Sequence, residues 1–477
     1  MLYEILLYMI PIITGFGFGI ISGLIPGIHT NTICAILLSL FFTTALNDVN
    51  VLYIATFIVS AAMTHTFFDI FPSLFLGIPG DEVYALLPGQ KMVKRGKGLE
   101  ALNISISGSL QGFIYSFILC ISLFLIIVYY NDKALIRFEN IIKENMFLIL
   151  LTISIFLILT DKNKIFSFFV FIFSGILGVL TLGSPNVPNP NLSAFNGIFP
   201  ALTGLFGLSG LVLALFARTS PICKQDKNIK LNVITKPRSS LLGSIGGIIT
   251  GFLPGLGSAN AATCMLLIED FLNKKNINKS ESEKEYIAST SAINTSDAVF
   301  SIMTIYLIGK SRSGASVAIE QIIPNILINH AMIMLSSMGI AALLSFWLIH
   351  KLKYKIIEFF SNIFYKPLTF CIIFFLIFVV YFTTSLWGLF ILAISTLLGI
   401  MPYIFNVRKG QMMGFFILPT ILFFSGYQEN IVSYLNLEAK IKIYPELTLY
   451  NIIIIFFSAI FLAIFLYRIL KRKAIEK

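Results

Sequence analysis

Residues 15–38 read GFGFGIISGLIPGIHTNTICAILL, and residues 243–266 read GSIGGIITGFLPGLGSANAATCML. Aligned without gaps, the two stretches are identical at eight of 24 positions, including three glycines at four-residue intervals and the Pro-Gly pair that follows them. The tetrapeptide Tyr-Ile-Ala-Thr at 53–56 then matches Tyr-Ile-Ala-Ser at 286–289, at nearly the same offset. Similarity in register over this length indicates an internal repeat. The two halves of the chain are therefore related.

The composition is that of a membrane protein. Of 477 residues, 57% are hydrophobic and only 12% are charged, about half the charged share of a soluble domain. Apolar runs recur from end to end and leave no stretch for a separate soluble domain. These properties exclude a soluble enzyme, a nucleic-acid-binding protein and a disordered scaffold. The net charge of +11 is then best explained by Lys and Arg retained in cytoplasmic loops.

The distribution of basic residues predicts the topology. Loops 81–98 and 218–238 are rich in Lys and Arg, whereas 184–196 has neither, so the first two are predicted to be cytoplasmic and the third external. The same rule predicts an external N-terminus and a cytoplasmic C-terminus in the plasma membrane. The predicted spans are 51–80, 99–130, 145–160, 165–183, 197–217, 286–308, 322–349, 367–384, 387–405, 411–426 and 448–467, with 131–144 as an external loop.

Segment 239–272 is predicted to be re-entrant. Basic residues flank it on both sides, so it should enter and leave on the cytoplasmic face. Its 34 residues are too few for two crossings, which need about 20 residues each and a turn. Two half-length helices turning at Pro254 to Gly257 near the midplane fit better. Residues 1–46 are predicted to form the matching hairpin, with external ends.

The span count predicts that the repeats are inverted. Counting from 51–80 up to, but not including, its counterpart 286–308, there are five predicted spans. Because five is an odd number, the two counterparts cross the membrane in opposite directions. The predicted fold is an all-α polytopic membrane protein with two inverted-topology repeats, each a re-entrant helical hairpin plus about five spans, and one extra C-terminal span. The predicted divisions are the repeats 1–217 and 239–447, the cytoplasmic linker 218–238, and the extra span with its basic tail, 448–477.

Paired Gly/Pro breaks in inverted halves are the best sequence pointer to the binding site of a secondary transporter. Interrupted helices leave backbone groups that only protein or a wet cavity can satisfy, and half-helix N-termini favour an anion. Hydroxyl and amide groups at the tips suit a sodium ion or a carboxylate. Helix capping and ordinary GxxxG packing are the alternatives. The candidate tip residues are Pro26, Gly27, His29, Thr30, Asn31, Pro254, Gly255, Ser258 and Asn260.

A second polar cluster lies in the paired spans after the hairpins, at His65, Asp69, Asn294 and Asp297. Ionisable residues at membrane depth are costly and usually mark ion or proton paths. His65 and Asp69 share a helix face, so structural pairing of the two is an alternative, and an interfacial position is another. His65 aligns with Asp297 when Gly77 is set on Gly309. No cofactor is predicted beyond a coupling Na⁺ or H⁺.

Four landmarks resemble the large permease subunit of tripartite tricarboxylate transporters, the TctA-like family: Gly23 to Gly27, Gly251 to Gly255, Gly77 to Gly80, and LLPGQKMVKRGKGLEAL at 86–102. The first tip, PGIHTNT, and the turn LPGQKM depart from the family pattern. They look more like its archaeal branch, whose members often stand alone. The resemblance implies the fold and transport by alternating access. It leaves open citrate-type specificity and assembly with a small membrane subunit and a soluble receptor.

The leading hypothesis is an ion-coupled secondary transporter of an organic anion, a carboxylate in particular. A carrier of a polyprenyl-phosphate lipid head group would use the same fold. An intramembrane enzyme, the least favoured class, would need a catalytic pair made of His65 with Asp69 or Asp297. The expected partners are a small organic anion and membrane lipids, a homodimer is left open, and nucleic acid is not expected.

Overall fold

The computed structural model describes residues 2–25, 34, 37, 49–76, 83–130, 133–182, 197–216, 225–226, 234–252, 261, 279–308, 313–323, 325–362 and 365–427. Within these ranges every regular element is a helix. Seven helical stretches are long and apolar enough to cross a membrane. The prediction of an all-α polytopic membrane protein is thereby confirmed.

In chain order the α-helices are α1 (Leu2–Leu24), α2 (Val51–Phe68), α3 (Ile70–Phe75), α4 (Val83–Lys94), α5 (Gly98–Tyr130), α6 (Lys133–Leu159), α7 (Lys164–Leu182), α8 (Ile198–Leu202), α9 (Ser209–Phe216), α10 (Pro237–Phe252), α11 (Lys279–Ile308), α12 (Gly314–Ile322), α13 (Ile328–Asn362), α14 (Tyr365–Phe405) and α15 (Gly414–Phe424). A π-helical turn, Thr203–Leu208, joins α8 to α9, and a 3₁₀ turn, Lys409–Met413, precedes α15.

Helix α1 packs against α2 along a row of glycines. A Cβ on Gly15 would overlap the carbonyl oxygen of Phe57, and one on Gly23 would lie 2.6 Å from Cβ of Phe68. Because only glycine lacks this atom, the two backbones can approach this closely. The contacts advance in the same direction along both helices, so α1 and α2 run parallel.

Helices α10 and α11 pack in the same way. A Cβ on Gly243 would overlap the carbonyl oxygen of Ser289, and one on Gly251 would lie 2.5 Å from Cβ of Phe300. These helices also run parallel, so the end of α10 and the start of α11 lie at opposite ends of the pair. The repeat seen in the sequence is thus matched by two helix pairs with the same packing.

The largest hydrophobic cluster draws on both halves of the chain. Helix α5 lies on α11, where a Cβ on Gly108 or Gly112 would come within 2.6 or 2.7 Å of a backbone carbonyl oxygen. Helix α13 packs against α2. Phe67, Ile287 and Met338 belong to the same buried cluster. Each glycine-packed pair is therefore completed by a helix from the other half.

The long helix α14 is interrupted at Ser385, whose φ of 57° and ψ of −157° are not helical. A Cβ on Gly388 would lie 3.4 Å from the side chain of Val380, whereas eight residues of continuous helix would separate the two by about 12 Å. The chain therefore folds back at Ser385. The predicted pair of spans 367–384 and 387–405 is confirmed.

Three predicted boundaries differ from the structure. Residues 133–144, predicted as part of an external loop, form the first turns of α6, because their apolar residues recur at helical intervals between the charges. The predicted span 322–349 corresponds to α13, which begins later, at Ile328, because residue 322 is the last residue of the separate helix α12. The predicted span 286–308 lies within α11, which is not among the seven apolar stretches. The predicted span 448–467 lies outside the described residues.

Ion pairs tie the start of α11 to the loops predicted to be cytoplasmic. The pairs join Arg95 to Glu283 at 2.9 Å, Lys284 to Glu100 at 2.9 Å, and Lys236 to Glu281. In the linker, the side-chain oxygen of Gln225 accepts a hydrogen bond from the backbone N–H of Gly98 at 2.7 Å. The predicted loops 81–98 and 218–238 therefore meet at one end of the molecule.

This network predicts a modest acid sensitivity. Hydrogen bonds from Lys236 and then Lys284 lower the pKa of Glu281. A carboxyl with a lowered folded pKa adds stability above its unfolded pKa of about 4.3, and this contribution is lost as the pH falls through the folded value. We expect Glu281→Gln to lower the thermal unfolding temperature at pH 7, and the difference to fade below about pH 4.

The Glu281 side chain is 41% exposed, so after allowance for solvent screening the effect should stay below about 0.5 kcal/mol. Unfolding of the detergent-solubilised protein would be followed at both pH values. Glu358→Gln, at an exposed acid outside the network, is the matched control. A deficit in Glu281→Gln that is the same at pH 7 and below pH 4 would contradict the assignment.

Candidate functional site

The structure describes four of the predicted site residues, namely His65 and Asp69 on or next to α2, and Asn294 and Asp297 on α11. The remaining candidates lie outside the described residues: Pro26, Gly27, His29, Thr30, Asn31, Pro254, Gly255, Ser258 and Asn260. The predicted meeting of the two Pro-Gly tips near the midplane therefore stays a prediction. The helices that lead to both tips are described up to Leu24 and Phe252.

Asp69 lies at a break between α2 and α3. Pro72, the third residue of α3, has no backbone N–H and cannot donate the helical hydrogen bond to the carbonyl of Phe68. Helix α2 accordingly ends at Phe68, with Asp69 as its C-cap. The sequence thus places a carboxylate at a point where the helix is interrupted, as expected for a polar site in a membrane protein.

The site joins the two halves of the chain. The side-chain amide of Asn294 donates a hydrogen bond to Oδ2 of Asp69 at 3.3 Å. Further along, a Cβ on Gly89 would meet the side chain of Leu74 and lie 4.0 Å from that of Ile287. From Asp69 to Leu74 the residue number rises, while on α11 it falls from Asn294 to Ile287. The segment made of α2 and α3 therefore runs antiparallel to its equivalent, α11.

His65 and Asp297 occupy equivalent positions. The residues that face the glycine rows, Phe57 with Ser289 and Phe68 with Phe300, are each 232 apart, and so are His65 and Asp297 (297 − 65). The packing register thus agrees with the alignment of Gly77 on Gly309.

The same register places His65 and Asp297 at one depth. Asp69 lies opposite Asn294 on antiparallel helices, so each step forward on α2 matches one step backward on α11. By this count, equivalent positions of the two helices lie opposite each other between residues 65 and 66 on α2 and between residues 297 and 298 on α11. His65 and Asp297 are each about half a residue, or about 0.8 Å of helix rise, from this crossing level. An imidazole and a carboxylate therefore lie where the two halves cross.

The His65 ring contacts the first hairpin helix. Its Nδ1 lies 3.0 Å from Oγ of Ser22, and the two residues are 8% and 2% exposed. Sequence reasoning missed Ser22, because a serine next to Gly23 in a glycine row is expected to serve helix packing. A hydroxyl at this position could have been noticed as the last polar side chain of α1 before the tip.

Hydroxyl groups next to the site add to its polarity. The hydroxyls of Ser60 and Thr64 are buried and have no hydrogen-bond partner among the described residues. Buried polar groups of this kind are usually satisfied by water or a ligand. The arrangement of carboxylates, imidazole, amide and hydroxyls can hold a proton or a small cation at membrane depth.

Comparison with known proteins gives a family and a relative. The family model described as "Tripartite tricarboxylate transporter TctA family" matches residues 9–414. Uncharacterized protein MJ1079 of Methanocaldococcus jannaschii is 30% identical over 424 residues, which cover 88% of this chain and 99% of that protein. No solved structure matches the chain.

Proposed function

Because the chain belongs to the tripartite tricarboxylate transporter TctA family, we propose that it is a secondary transporter that moves a small organic anion, a carboxylate, by ion-coupled alternating access. The family is one of membrane transporters, and the seven apolar helices make this protein a multi-pass membrane protein. The observation that carries the proposal is the contact between Asp69 and Asn294. It brings polar groups of both halves together on the helices that follow the two predicted hairpins.

Inverted repeats supply the alternating access. Two observations support them: α1 and α10 each run parallel to their partner helix, and α2 runs antiparallel to its equivalent α11. A two-fold axis in the membrane plane allows the two repeats to exchange conformations, so that the site near the midplane opens first to one side and then to the other.

The coupling ion neutralises Asp297. A carboxylate held among helices at membrane depth is costly unless a cation or proton offsets its charge. Asp297 is half-buried and lies at the crossing level, so Na⁺ or H⁺ bound there would be released and reloaded as the site changes sides. The substrate anion is held at the hairpin tips by half-helix N-termini and by hydroxyl and amide groups.

The protein works without the other two components of tripartite systems. This part of the proposal is supported by the first tip, PGIHTNT, and the turn LPGQKM, which are more similar to the stand-alone archaeal branch of the family. Co-purification of the tagged protein from its native membrane tests it. A small membrane subunit recovered in stoichiometric amount would contradict it.

The proposed topology predicts the outcome of cysteine labelling. In a variant without native cysteines, Gln90→Cys should react only with membrane-permeant maleimide in intact cells, and Pro190→Cys should react with the impermeant reagent. Loop charge is the reason, because 81–98 is basic and 184–196 is not. Labelling after solubilisation, when both positions should react, is the control. The same side for both positions would contradict the inverted arrangement.

Uptake of radiolabelled carboxylates into proteoliposomes tests the transport function. The purified protein is reconstituted, and mono-, di- and tricarboxylates are compared with and without an inward sodium or proton gradient. We expect accumulation of at least one carboxylate above equilibrium when one of the gradients is present, and its collapse when an ionophore dissipates that gradient. Accumulation of none, by protein that retains its fold, would contradict the proposal.

A further inference from the structure

Helix α13 is longer than the hydrocarbon core of a membrane is thick, so its last turns lie outside that core. Residues 331–349, the apolar part of the helix, contain no charged side chain and no imidazole. At about 1.5 Å of rise per residue this part spans about 28 Å, close to the thickness of the core. The lysines that follow His350 therefore lie at the level of the lipid head groups, on the side that loop charge predicts to be cytoplasmic.

One face of α13 changes from apolar to basic at this boundary. Leu343 and Trp347 are 61% and 52% exposed, and Lys351 and Lys355 are exposed as well. These four residues follow one another at intervals of four, so they lie along a single face of the helix. Lys353, between the two lysines in the sequence, points the opposite way and is only 7% exposed.

A cation–π contact joins the basic and apolar parts of this face. Nζ of Lys351 lies 4.2 Å from the centroid of the Trp347 ring. Side chains on a helix lean toward its N-terminus, which for Lys351 is toward the membrane, and tryptophan prefers the boundary between hydrocarbon and head groups. The ammonium group of Lys351 is therefore held at the depth of a lipid phosphate.

The charges of Lys351 and Lys355 are not neutralised within the part of the chain that the structure describes. Basic residues near the start of α11 are paired with glutamates, whereas no described acid forms an ion pair with either of these lysines. The single acid of α13, Glu358, lies farther from the membrane. Two ammonium groups one helical turn apart can hold one phosphate group between them.

We propose that this face of α13, formed by Leu343, Trp347, Lys351 and Lys355, binds a phospholipid with an anionic head group. The two lysines contact the phosphate, and the acyl chains lie along Leu343 and the indole ring. A phosphatidylcholine binds less well, because the positive charge of its choline lies next to the phosphate. Bound lipid thereby supports α13, which packs against α2.

Quenching of tryptophan fluorescence in nanodiscs tests this inference without any measurement of transport. The chain has two tryptophans, so Trp387→Phe leaves Trp347 as the reporter in the full-length protein. Phosphatidylcholine nanodiscs receive a small fraction of lipid with brominated acyl chains, which quench an adjacent indole. We expect brominated phosphatidylglycerol to quench Trp347 more strongly than the same fraction of brominated phosphatidylcholine.

Two double variants separate this face from the general charge of the protein. Lys351→Gln with Lys355→Gln should remove the preference for phosphatidylglycerol, because each lysine lost at an anionic surface weakens binding about fivefold. Lys162→Gln with Lys164→Gln removes the same charge before and at the start of α7, where the two lysines share no helix face. This control should leave the quenching of Trp347 unchanged.

The other tryptophan provides a second control. Residues 367–405, which include Trp387, contain no lysine or arginine, so in a Trp347→Phe protein both brominated lipids should quench Trp387 equally. Equal quenching of Trp347 by the two lipids, a preference that persists in the first double variant, or the same preference at Trp387 would overturn the proposal. A preference abolished by inorganic phosphate, but not by chloride at equal ionic strength, would show a site for free phosphate and would overturn it as well.

Discussion

Asp297→Asn is expected to abolish gradient-driven accumulation of substrate while leaving the protein folded. The asparagine side chain has nearly the same shape as aspartate, but it is uncharged. It therefore takes up no coupling proton and attracts a cation only weakly. If Asp297 couples the ion to the anion, the variant loses the ion-dependent step. Accumulation should then fall to the equilibrium level seen with an ionophore.

Proteoliposome uptake and counterflow separate coupling from binding. Asp297→Asn should still exchange labelled for unlabelled substrate across the membrane if the anion site at the tips is intact. Asp297→Glu keeps the charge and should retain part of the accumulation. Full sodium- or proton-driven uptake by Asp297→Asn would count against the assignment and leave the Ser, Thr and Asn groups of the tips as ion ligands.

Asp69→Asn is the informative comparison. Asp69 accepts the amide of Asn294, and an asparagine can still accept there through its carbonyl oxygen, although more weakly. We expect this variant mainly to lower the unfolding temperature. A loss of accumulation equal to that of Asp297→Asn, at unchanged stability, would show that the two carboxylates form one ion site.

Gly15→Ala and Gly17→Ala are expected to have opposite effects on stability, although the two glycines belong to the same Gly-rich run on α1. A methyl group at Gly15 would overlap the backbone of Phe57, whereas nothing lies within 4 Å of one at Gly17. Overpacking against a backbone that cannot move aside costs about 1–3 kcal/mol or more. Alanine at an open helical position is favoured over glycine by about 1 kcal/mol.

Thermal unfolding in mild detergent measures the difference. Gly15→Ala should unfold at a clearly lower temperature and give less monodisperse protein, and Gly17→Ala should equal or slightly exceed the unaltered protein. Gly243→Ala, at the equivalent of Gly15, should behave like Gly15→Ala because it meets the backbone of Ser289. Equal stability of the Gly15 and Gly17 variants would contradict the close packing of α1 on α2.

Several features of the fold follow from local properties of the sequence. Length and hydrophobicity identify membrane helices, and the glycine intervals of residues 15–27 and 243–255 indicate helices that pack closely against a neighbour. The two spans on either side of Ser385 were predicted as separate apolar segments, 367–384 and 387–405. His65, Asp69, Asn294 and Asp297 were singled out because polar groups are costly in hydrocarbon, whatever their partners.

The loop prediction for 131–144 failed for a related reason. The positive-inside rule and hydropathy report where charged residues lie relative to the membrane, and they do not report whether the backbone there is helical. Helix α6 begins at Lys133, with charged and apolar residues alternating at helical intervals. Helical periodicity decides the backbone in this stretch, and low hydropathy is no evidence against a helix.

By itself, then, the sequence determined that this is an all-α membrane protein whose two halves are related, and it singled out polar groups in the helices that follow the Gly-rich segments. Only the tertiary structure decided that Asn294 donates to Asp69, that Ser22 lies on His65, and that α5 belongs with α11. The physical reason is that composition and periodicity fix each helix separately, whereas every apolar helix face suits lipid and protein about equally. Which faces meet depends on close packing and hydrogen bonds between residues far apart in the chain.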